Sequence, residues 1–358
     1  TNKQKILIFG DYDADGVPAT VVLAEFFRKI NYPDFSVYIP HRHNEQYGLS
    51  VIAVEKFAAD GVKLIITVDC GISNLAEVKR ARELGIDMVI TDHHLPPTKL
   101  PKAVAVINPK RQDCPYPYKH LCGAGVAWKL VCALIARCST SDVEQNKIPV
   151  GWEKWLLELV AIATVADMVP MTGENKTMTK FGLMVLRLTR RLGLLELFRV
   201  LKLKREYIAE DDIGFMIGPR INSAGRMSHA SQAFDLLVTD KEEEAQKIAS
   251  ELEGRNQERK SQVAEILATA EKLYGGKTLL AVMVVGDEDW GLGVLGLAAA
   301  RLSEKYGRTV FVWAKNGNGE IKGSCRSGGE VNVVELMTAA NQPKKIFRDF
   351  GGHAFAGG

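Results

Sequence analysis

The sequence predicts an α/β fold: an N-terminal domain with a parallel sheet flanked by helices, a long connecting helix, and a smaller C-terminal α/β domain. In the first hundred residues, a short apolar run, a polar turn and an amphipathic helix follow one another repeatedly, as is typical of a parallel sheet. Residues 241–273 form a highly charged stretch without proline, and a second β/α pattern begins near residue 276. The length of 358 residues fits two domains.

The composition is that of an ordinary globular protein. Lys and Arg number 46 against 43 Asp and Glu, and 46% of the residues are hydrophobic, which excludes disordered and fibrous classes. The net charge of +3 neither supports nor excludes binding to nucleic acid. No apolar run reaches the roughly 20 residues of a membrane span. The six cysteines lack the paired spacing of a zinc site, so we expect a reducing, cytoplasmic location.

The elements follow from the position of each apolar pattern. Strands are predicted at 5–9, 35–39, 63–68, 87–91 and 103–107, and helices at 17–30, 50–60 and 75–84. From 123 to about 199, Leu, Ile and Ala at intervals of three and four residues predict helices that continue the first domain. After residue 276 we expect strands at 279–285 and 309–313 with a helix at 297–306. The predicted boundaries are therefore 1–240, 241–275 and 276–358.

Polar side chains follow three of the predicted strands, at the points where the strands end. Asp11, Asp13 and Asp15 alternate after the first strand, Asp69 follows the third, and the pair His93 and His94 follows the fourth. The carboxyl ends of parallel strands line one crevice, so these groups should meet there. Crowded carboxylates repel unless a divalent cation neutralises them. A loop that caps the next helix would explain a lone pair of aspartates, whereas the full set favours a metal site.

Asp167 adds a further carboxylate, at the end of an apolar helix and before Pro170; by itself it is only a helix-end residue. Together these positions supply five carboxylates and two imidazoles. That is enough for two cations about 3.5 to 4 Å apart with one bridging carboxylate. The mixture of nitrogen and oxygen donors suits manganese better than calcium. The sequence therefore predicts hydrolysis of a phosphoester or phosphoanhydride.

Ten ordered motifs carry a resemblance to a known family. GDYDADG (10–16), VDCGIS (68–73), TDHH (91–94) and ATVADMVP (163–170) resemble the four motifs of the DHH phosphoesterase superfamily. Other segments resemble its RecJ-like branch of single-stranded-DNA-specific exonucleases: HRHNEQYGLS (41–50), GAGVAWKL (123–130), PRINSAGRM (219–227), GVLGLAAARLSEKYGRTVFV (293–312), GSCRS (323–327) and GGHAFAG (351–357). The resemblance covers nearly the whole chain.

The resemblance implies an enzyme of DNA repair and recombination that degrades single-stranded DNA from 5′ to 3′ and releases 5′-mononucleotides with two Mn²⁺ or Mg²⁺ ions. Asp69 would bridge the two ions, and His94 would contact the scissile phosphate or protonate the leaving oxygen, unless it only hydrogen-bonds another ligand. The implied catalytic set is Asp69, His93, His94 and Asp167. One ion would be held by Asp11, Asp13 and Asp69, and the other by Asp15, His93, Asp167 and the bridging Asp69.

The resemblance also implies a site that recognises the strand end. A narrow cleft between the domains would hold the strand. The residues implied to grip phosphate or approach it closely are Arg42, Arg220, Arg226, Ser324, Arg326, Gly351, Gly352 and His353. Gln46, Gly291 and Cys325 depart from the family pattern, which bears on substrate grip. We expect no oligonucleotide-binding barrel of the kind that many members carry, and therefore weaker processivity. We expect a monomer that is not associated with a membrane and that binds single-stranded DNA. A single-strand-binding protein or a helicase is a candidate protein partner.

Two alternatives remain open from the sequence. A small-substrate DHH phosphodiesterase or phosphatase would act on oligoribonucleotides, cyclic dinucleotides or adenosine bisphosphate, but such compact enzymes lack the segments 123–130 and 219–227. A non-catalytic scaffold that binds DNA or replication proteins would have a decayed site, whereas all seven candidate donors are present here.

Overall fold

The computed structural model describes residues 4–42, 45, 48–138, 148–278, 280–342 and 344–358. The chain forms two compact units, Thr1–Arg255 and Asn256–Gly358. The division falls inside the segment that the sequence predicts as the connecting helix. The predicted domain boundaries at 240 and 275 therefore stay predictions, next to a structural division at 255.

The first unit is built on a parallel sheet of five strands in the order β2-β1-β3-β4-β5. From β1 the chain passes to β2 on one side and then to β3 on the other, so the strand order reverses at β1. In open α/β sheets, ligands bind outside the carboxyl ends of the strands at such a reversal. The strands are β1 Ile6–Phe9, β2 Phe35–Tyr38, β3 Leu64–Val68, β4 Asp87–Thr91 and β5 Ala105–Ile107.

Helices cover both faces of this sheet, which confirms the predicted fold class. Alternate residues of a strand point to opposite faces. Ile6 and Ile8 of β1 accordingly belong to one core cluster, whereas Leu7 and Phe9 belong to another. The near-continuous apolar runs of the sequence thus reflect burial on both sides. The helices that lie between the strands are α1 Gly16–Lys29, α2 Val51–Ala59 and α3 Leu75–Glu83.

Further helices and helical turns complete the first unit. They include a π-helical turn at Ile213–Ile217 and 3₁₀ turns at Trp152–Leu156 and Arg205–Tyr207. The α-helices are α4 Gly123–Cys138, α5 Leu157–Ala166, α6 Gly173–Leu186, α7 Leu192–Leu201, α8 Glu210–Asp212, α9 Gly218–Met227 and α10 Ser231–Val238. The predicted long helix is α11, Glu242–Tyr274.

The second unit contains a five-stranded sheet in the order β6-β7-β8-β10-β9. β6 runs parallel to β7, and the remaining neighbours are antiparallel. The first strand begins later than predicted, because Val282 pairs with Thr309, where β7 starts; position 279 lies outside the described residues. The elements are β6 Val282–Gly286, a 3₁₀ turn at Leu292–Val294, α12 Leu295–Tyr306, β7 Thr309–Lys315, β8 Ile321–Arg326, α13 Val333–Ala340, β9 Gly352–His353 and β10 Ala356–Gly357.

Among the residues that the structure describes, no helix is both long enough and apolar enough to cross a membrane.

Candidate metal centre

The carboxyl edge of the first sheet gathers the acidic and imidazole side chains. Their donor atoms fall into three groups, in each of which the atoms lie within 4.8 Å of one another. The groups are Asp11, Asp13 and Asp69; Asp15, His93 and Asp167; and Asp69, His93 and His94. The first two correspond to the two ion sites that the resemblance implies. Binding of ions there stays a prediction.

The imidazole of His93 lies among three carboxylates. Its Nε2 is 3.6 Å from Asp15 Oδ2, 3.1 Å from Asp69 Oδ1 and 3.7 Å from Asp167 Oδ2. Adjacent ligands of an octahedral ion with bonds of 2.0–2.1 Å are about 3 Å apart, so these atoms are spaced almost as the ligands of one ion. Asp11 Oδ1 is buried without a hydrogen-bond partner among the described residues. A buried carboxylate oxygen of this kind is costly unless a cation binds it, so the donor set fits a metal.

The N-terminus of α4 holds the carboxylate of Asp15. The backbone amide of Gly123 donates to Oδ2 at 2.5 Å, and that of Ala124 donates to Oδ1 at 2.7 Å. The positive end of the helix dipole adds to this attraction. Burial and the charges of Asp167 and Asp13 nevertheless raise the pKa of Asp15 well above its ordinary value, against the effect of the two amides. A cation at Asp15 would remove that conflict.

Asp13 both bonds the backbone at the start of α1 and belongs to the cluster, so a helix-capping loop and a metal site do not exclude each other. Its Oδ1 accepts hydrogen bonds from the amides of Asp15 at 2.8 Å and Gly16 at 3.0 Å. Gly16 is needed because a Cβ there would lie 2.6 Å from Asp11 Cβ. The amide of Ala14 donates to Asn222 Oδ1 at 3.0 Å, so α9 also fixes the loop.

Asp69 occupies a strained backbone position at the end of β3. Its φ is +62°, a left-handed conformation that Asp and Asn tolerate better than other non-glycine residues. A Cβ on Gly123 would lie 2.5 Å from Asp69 Oδ1 and 2.6 Å from its Cβ. In the sequence, Gly123 belongs to the motif GAGVAWKL without an evident physical role. The structure supplies one, since only glycine leaves room for Asp69 beside the start of α4.

Asp92 is not among the candidate site residues predicted from the sequence, yet it contacts one of them, His94. Its carboxylate is buried and accepts four hydrogen bonds, from the amides of Ile72 (2.9 Å), His93 (2.7 Å) and His94 (3.0 Å) and from His94 Nδ1 (2.8 Å). Burial opposes its charge, yet these bonds and the charge of His94 lower the pKa of Asp92. Burial also opposes charge on His94, but Asp92 raises the pKa of that imidazole, as do Asp11 and Asp15. His94 is therefore held by Asp92 and favoured as a cation.

Replacing Asp92 with Asn should lower hydrolysis about 10- to 100-fold, since a buried group that orients a neighbouring ligand typically has this effect. The amide cannot accept all four hydrogen bonds, so His94 loses both its orientation and its raised pKa. Initial rates and an isothermal Mn²⁺ titration check the result; the rate should fall much more than the affinity. Asp87→Asn, at the exposed opposite end of β4, is the matched control. Equal rates for the two variants would contradict this role of Asp92.

Without a bound metal, the carboxyl groups of the cluster resist ionisation. Burial, followed by their mutual repulsion, raises the pKa values of Asp11 and Asp69 well above ordinary, as it does for Asp15. Burial and Asp13 raise the pKa of Asp167 to about 6. Burial lowers the pKa of His93 to about 4, and the charges of His94 and Lys110 act in the same direction. Binding of a cation must therefore release protons.

The metal-free protein should lose stability as the pH rises from about 6.5 to 8.5. Carboxyl groups with raised pKa values keep protons in the folded chain that the unfolded chain has lost, so a higher pH favours unfolding. His94, with its raised pKa, acts in the same direction. The opposite contribution of His93 is complete above the unfolded histidine pKa of about 6.5. Melting temperatures measured with a chelator at both ends of this window check the sign.

Mn²⁺ provides the control for that pH series. A saturating ion should weaken or reverse the trend, because metal binding strengthens as the ligands lose protons. A melting temperature that rises with pH in the presence of the chelator would contradict the assigned pKa directions.

Two predicted phosphate-binding arginines lie near the Asp11–Asp15 loop, and a third does not face solvent. The Arg42 guanidinium is 4.7 Å above the Tyr12 ring, and the charges of Arg42 and Arg226 both act on Tyr12. The Arg220 side chain is only 4% exposed; its Nε donates to Glu253 at 2.7 Å and its Nη1 to the Met216 carbonyl at 3.1 Å. These bonds engage Nε and Nη1 of Arg220 in the packing of α9, and its predicted phosphate contact stays a prediction.

The remaining candidates lie in the second unit. Arg326 and His353 both pair with Ala356 in the β8-β10-β9 ladder, so their side chains share one face of that sheet. Ser324, two residues before Arg326, points to the same face.

The structure also describes the predicted glycines and two of the three residues that depart from the family pattern. Gly352 has a φ of +139°, which requires glycine, and Gly351 is exposed. Cys325 points away from Arg326 and packs in an apolar cluster, so this departure lies on the opposite face. A Cβ on Gly291 would meet Gln262 Oε1 at 2.5 Å, and Gln46 lies outside the described residues.

The chain is also similar to known protein families. A model of the DHH family N-terminal domain matches residues 5–164, and a model of the DHHA1 domain matches residues 275–358. The chain is 38% identical over 366 residues to the single-stranded-DNA-specific exonuclease RecJ of Salmonella typhimurium, covering 99% of the chain and 63% of that protein. For RecJ of Bacillus subtilis the identity is 37%, covering 100% and 44%. The chain thus spans less than two thirds of the length of these curated relatives.

Solved structures extend the similarity to the fold. A crystal structure of exonuclease RecJ bound to manganese matches with 31% identity and a TM-score of 0.85, covering 99% of this chain and 85% of that one. RecJ from Thermus thermophilus in complex with Mn²⁺ matches with 30% identity and a TM-score of 0.82, covering 99% and 49%.

Proposed function

Because the chain belongs to the RecJ family of DHH-domain proteins, we propose that it hydrolyses single-stranded DNA from the 5′ end, releasing 5′-mononucleotides, in DNA repair and recombination. The observation that carries the proposal is the meeting of carboxylates and imidazoles from four chain segments at the reversal of the strand order. That position is where open α/β sheets bind ligands.

We assign the candidate donors to two Mn²⁺ or Mg²⁺ ions. Asp11, Asp13 and Asp69 would hold one ion, and Asp15, His93 and Asp167 the other, with Asp69 shared. When bound, such ions neutralise phosphate oxygens and lower the pKa of the attacking water. The manganese complexes of the related RecJ structures support this choice.

The side chains around the ions would donate a proton to the leaving group and bind the DNA backbone. We assign to His94, held through Nδ1 by Asp92 and favoured as a cation, the protonation of the leaving oxygen of the scissile bond. Arg42 and Arg226, beside Tyr12, would bind backbone phosphates as planar forks. Ser324, Arg326, Gly351, Gly352 and His353 are proposed to bind the strand end.

The two alternatives differ from this proposal in what they degrade. A small-substrate phosphodiesterase would attack dinucleotides as readily as long strands, whereas a scaffold would bind DNA without cutting it. A single-strand-binding protein or a helicase as partner, a monomeric state and a cytoplasmic location are further parts of the proposal.

The test is a digest of matched single strands that carry a label at the 5′ or the 3′ end. With Mn²⁺, labelled mononucleotide should be released first from the 5′-labelled strand, and a chelator should abolish release. Blunt duplex of the same sequence is the control and should resist attack. Cleavage confined to dinucleotides would favour the small-substrate enzyme, and binding without cleavage would favour the scaffold.

A further inference from the structure

The loop after β5 carries a lysine to which neither the motifs nor the resemblance gives a role. Asn108, the first residue after the strand, is buried, and its Nδ2 donates to the carbonyl of His94 at 2.9 Å. The amide of Lys110 donates to Asn108 Oδ1 at 2.8 Å. The backbone of Lys110 is therefore tied through one side chain to the loop that carries His93 and His94.

Lys110 lies at the same edge of the sheet as the metal centre. Ile107, at the end of β5, pairs with Thr91, at the end of β4, and the loop of His93 and His94 directly follows Thr91. Within the described part of the chain, the half-buried Lys110 forms no ion pair. Its neighbour Arg111, in contrast, is paired with Asp113 and bonded to the carbonyl of Val106. A lysine without an ion-pair partner among the described residues thus belongs to a loop at the edge of the sheet that carries the acidic cluster.

A cation at this place acts against metal binding, since like charges repel. It becomes favourable once an anionic phosphate is bound to the same centre, because a lysine ammonium binds phosphate as a point charge. A role toward the phosphate therefore explains this position better than a role toward the ions.

We propose that Lys110 is a substrate-contacting residue, whose ammonium binds a non-bridging oxygen of the phosphodiester at the metal centre and stabilises the charge that develops there. The inference rests on the proposed function and adds to it a phosphate contact from the β5 loop, held in place by Asn108.

The test compares Lys110→Met with Lys102→Met, an exposed lysine before the start of β5. On a single-stranded oligonucleotide with Mn²⁺, kcat/KM should fall about 100-fold for Lys110→Met, the size of effect expected when one donor to the developing charge is lost. Lys102→Met should match the native protein, and Lys110→Arg should recover part of the loss. An unchanged kcat/KM would overturn the inference.

Binding measurements separate this role from a structural one. Mn²⁺ affinity of Lys110→Met should be unchanged or tighter, because a repelling charge has been removed, while inorganic phosphate should bind the Mn²⁺-loaded variant more weakly. A loss of Mn²⁺ affinity large enough to explain the lower rate would overturn the inference. If the native protein cuts no DNA, the proposed function fails by itself, and the phosphate titration still decides the role of Lys110.

Discussion

Replacing Asp69 with Asn should reduce hydrolysis of single-stranded DNA by more than about 100-fold, beyond the 10- to 100-fold that loss of an outer partner of a ligand causes. Asp69 belongs to two donor groups, so the change affects both proposed ion sites. The fold should survive, because Asn tolerates the φ of +62° at this position better than Ala would. Initial rates of mononucleotide release measure the effect.

Thermal melting distinguishes a lost ligand from a damaged fold. Without metal at pH 8, Asp69→Asn should melt higher than the native protein, because a buried carboxyl group with a strongly raised pKa has been removed. The rise in melting temperature on adding Mn²⁺ should be smaller than in the native protein. Asp60→Asn, an exposed position at the end of α2, is the control. A variant that keeps native activity, or that melts far below the native protein without metal, would contradict the assignment of Asp69 as a bridging ligand.

Much of the first unit could be predicted because its strands are almost uniformly apolar and end in polar residues. Positions at the end of β1, β3 and β4 could be expected to meet on topology alone, since all carboxyl ends of a parallel sheet lie on one edge. Asp167 is different, because it follows α5 rather than a strand, and taken alone it is only a helix-end residue. Its approach to His93 depends on the packing of α5, which no local pattern encodes.

The roles of Asp92 and Arg220 depend on contacts that form only in the folded chain. Asp92 stands beside the two histidines in the sequence, but the spacing does not show that its carboxylate bonds back to their loop, and the bond from Ile72 forms only when the loops after β3 and β4 come together. Arg220 looked equivalent to Arg226 within one motif. Burial separates them, since Arg220 pairs with Glu253 on α11, far away in sequence. The sequence therefore identifies residues whose side chains are chemically suited to the site. Packing decides which of these side chains are directed into the site.

Replacing Gly123 with Ala should abolish most activity by adding one methyl group. Helix propensity alone favours Ala by about 1 kcal/mol, so a purely local view expects stabilisation. The new Cβ would instead lie 2.5 Å from Asp69 Oδ1, and either Asp69 or the start of α4 must move. A shift of α4 also displaces the amides that hold Asp15. Two ligands are thus disturbed together, and we expect losses of about 10- to 100-fold in Mn²⁺ affinity and at least as much in rate.

Gly125→Ala supplies the matched control on the same helix. Its Cβ would meet no atom closer than 3.6 Å, the Sγ of Cys122, which is an ordinary contact. That variant should keep native activity and melt at the native temperature or slightly above it, because the gain in helix propensity is not offset by a clash. Mn²⁺ titration, initial rates and melting curves of both variants provide the comparison. If Gly123→Ala and Gly125→Ala behave alike, the close approach of α4 to Asp69 does not control the metal centre, and the position of Asp69 must be fixed by β3 alone.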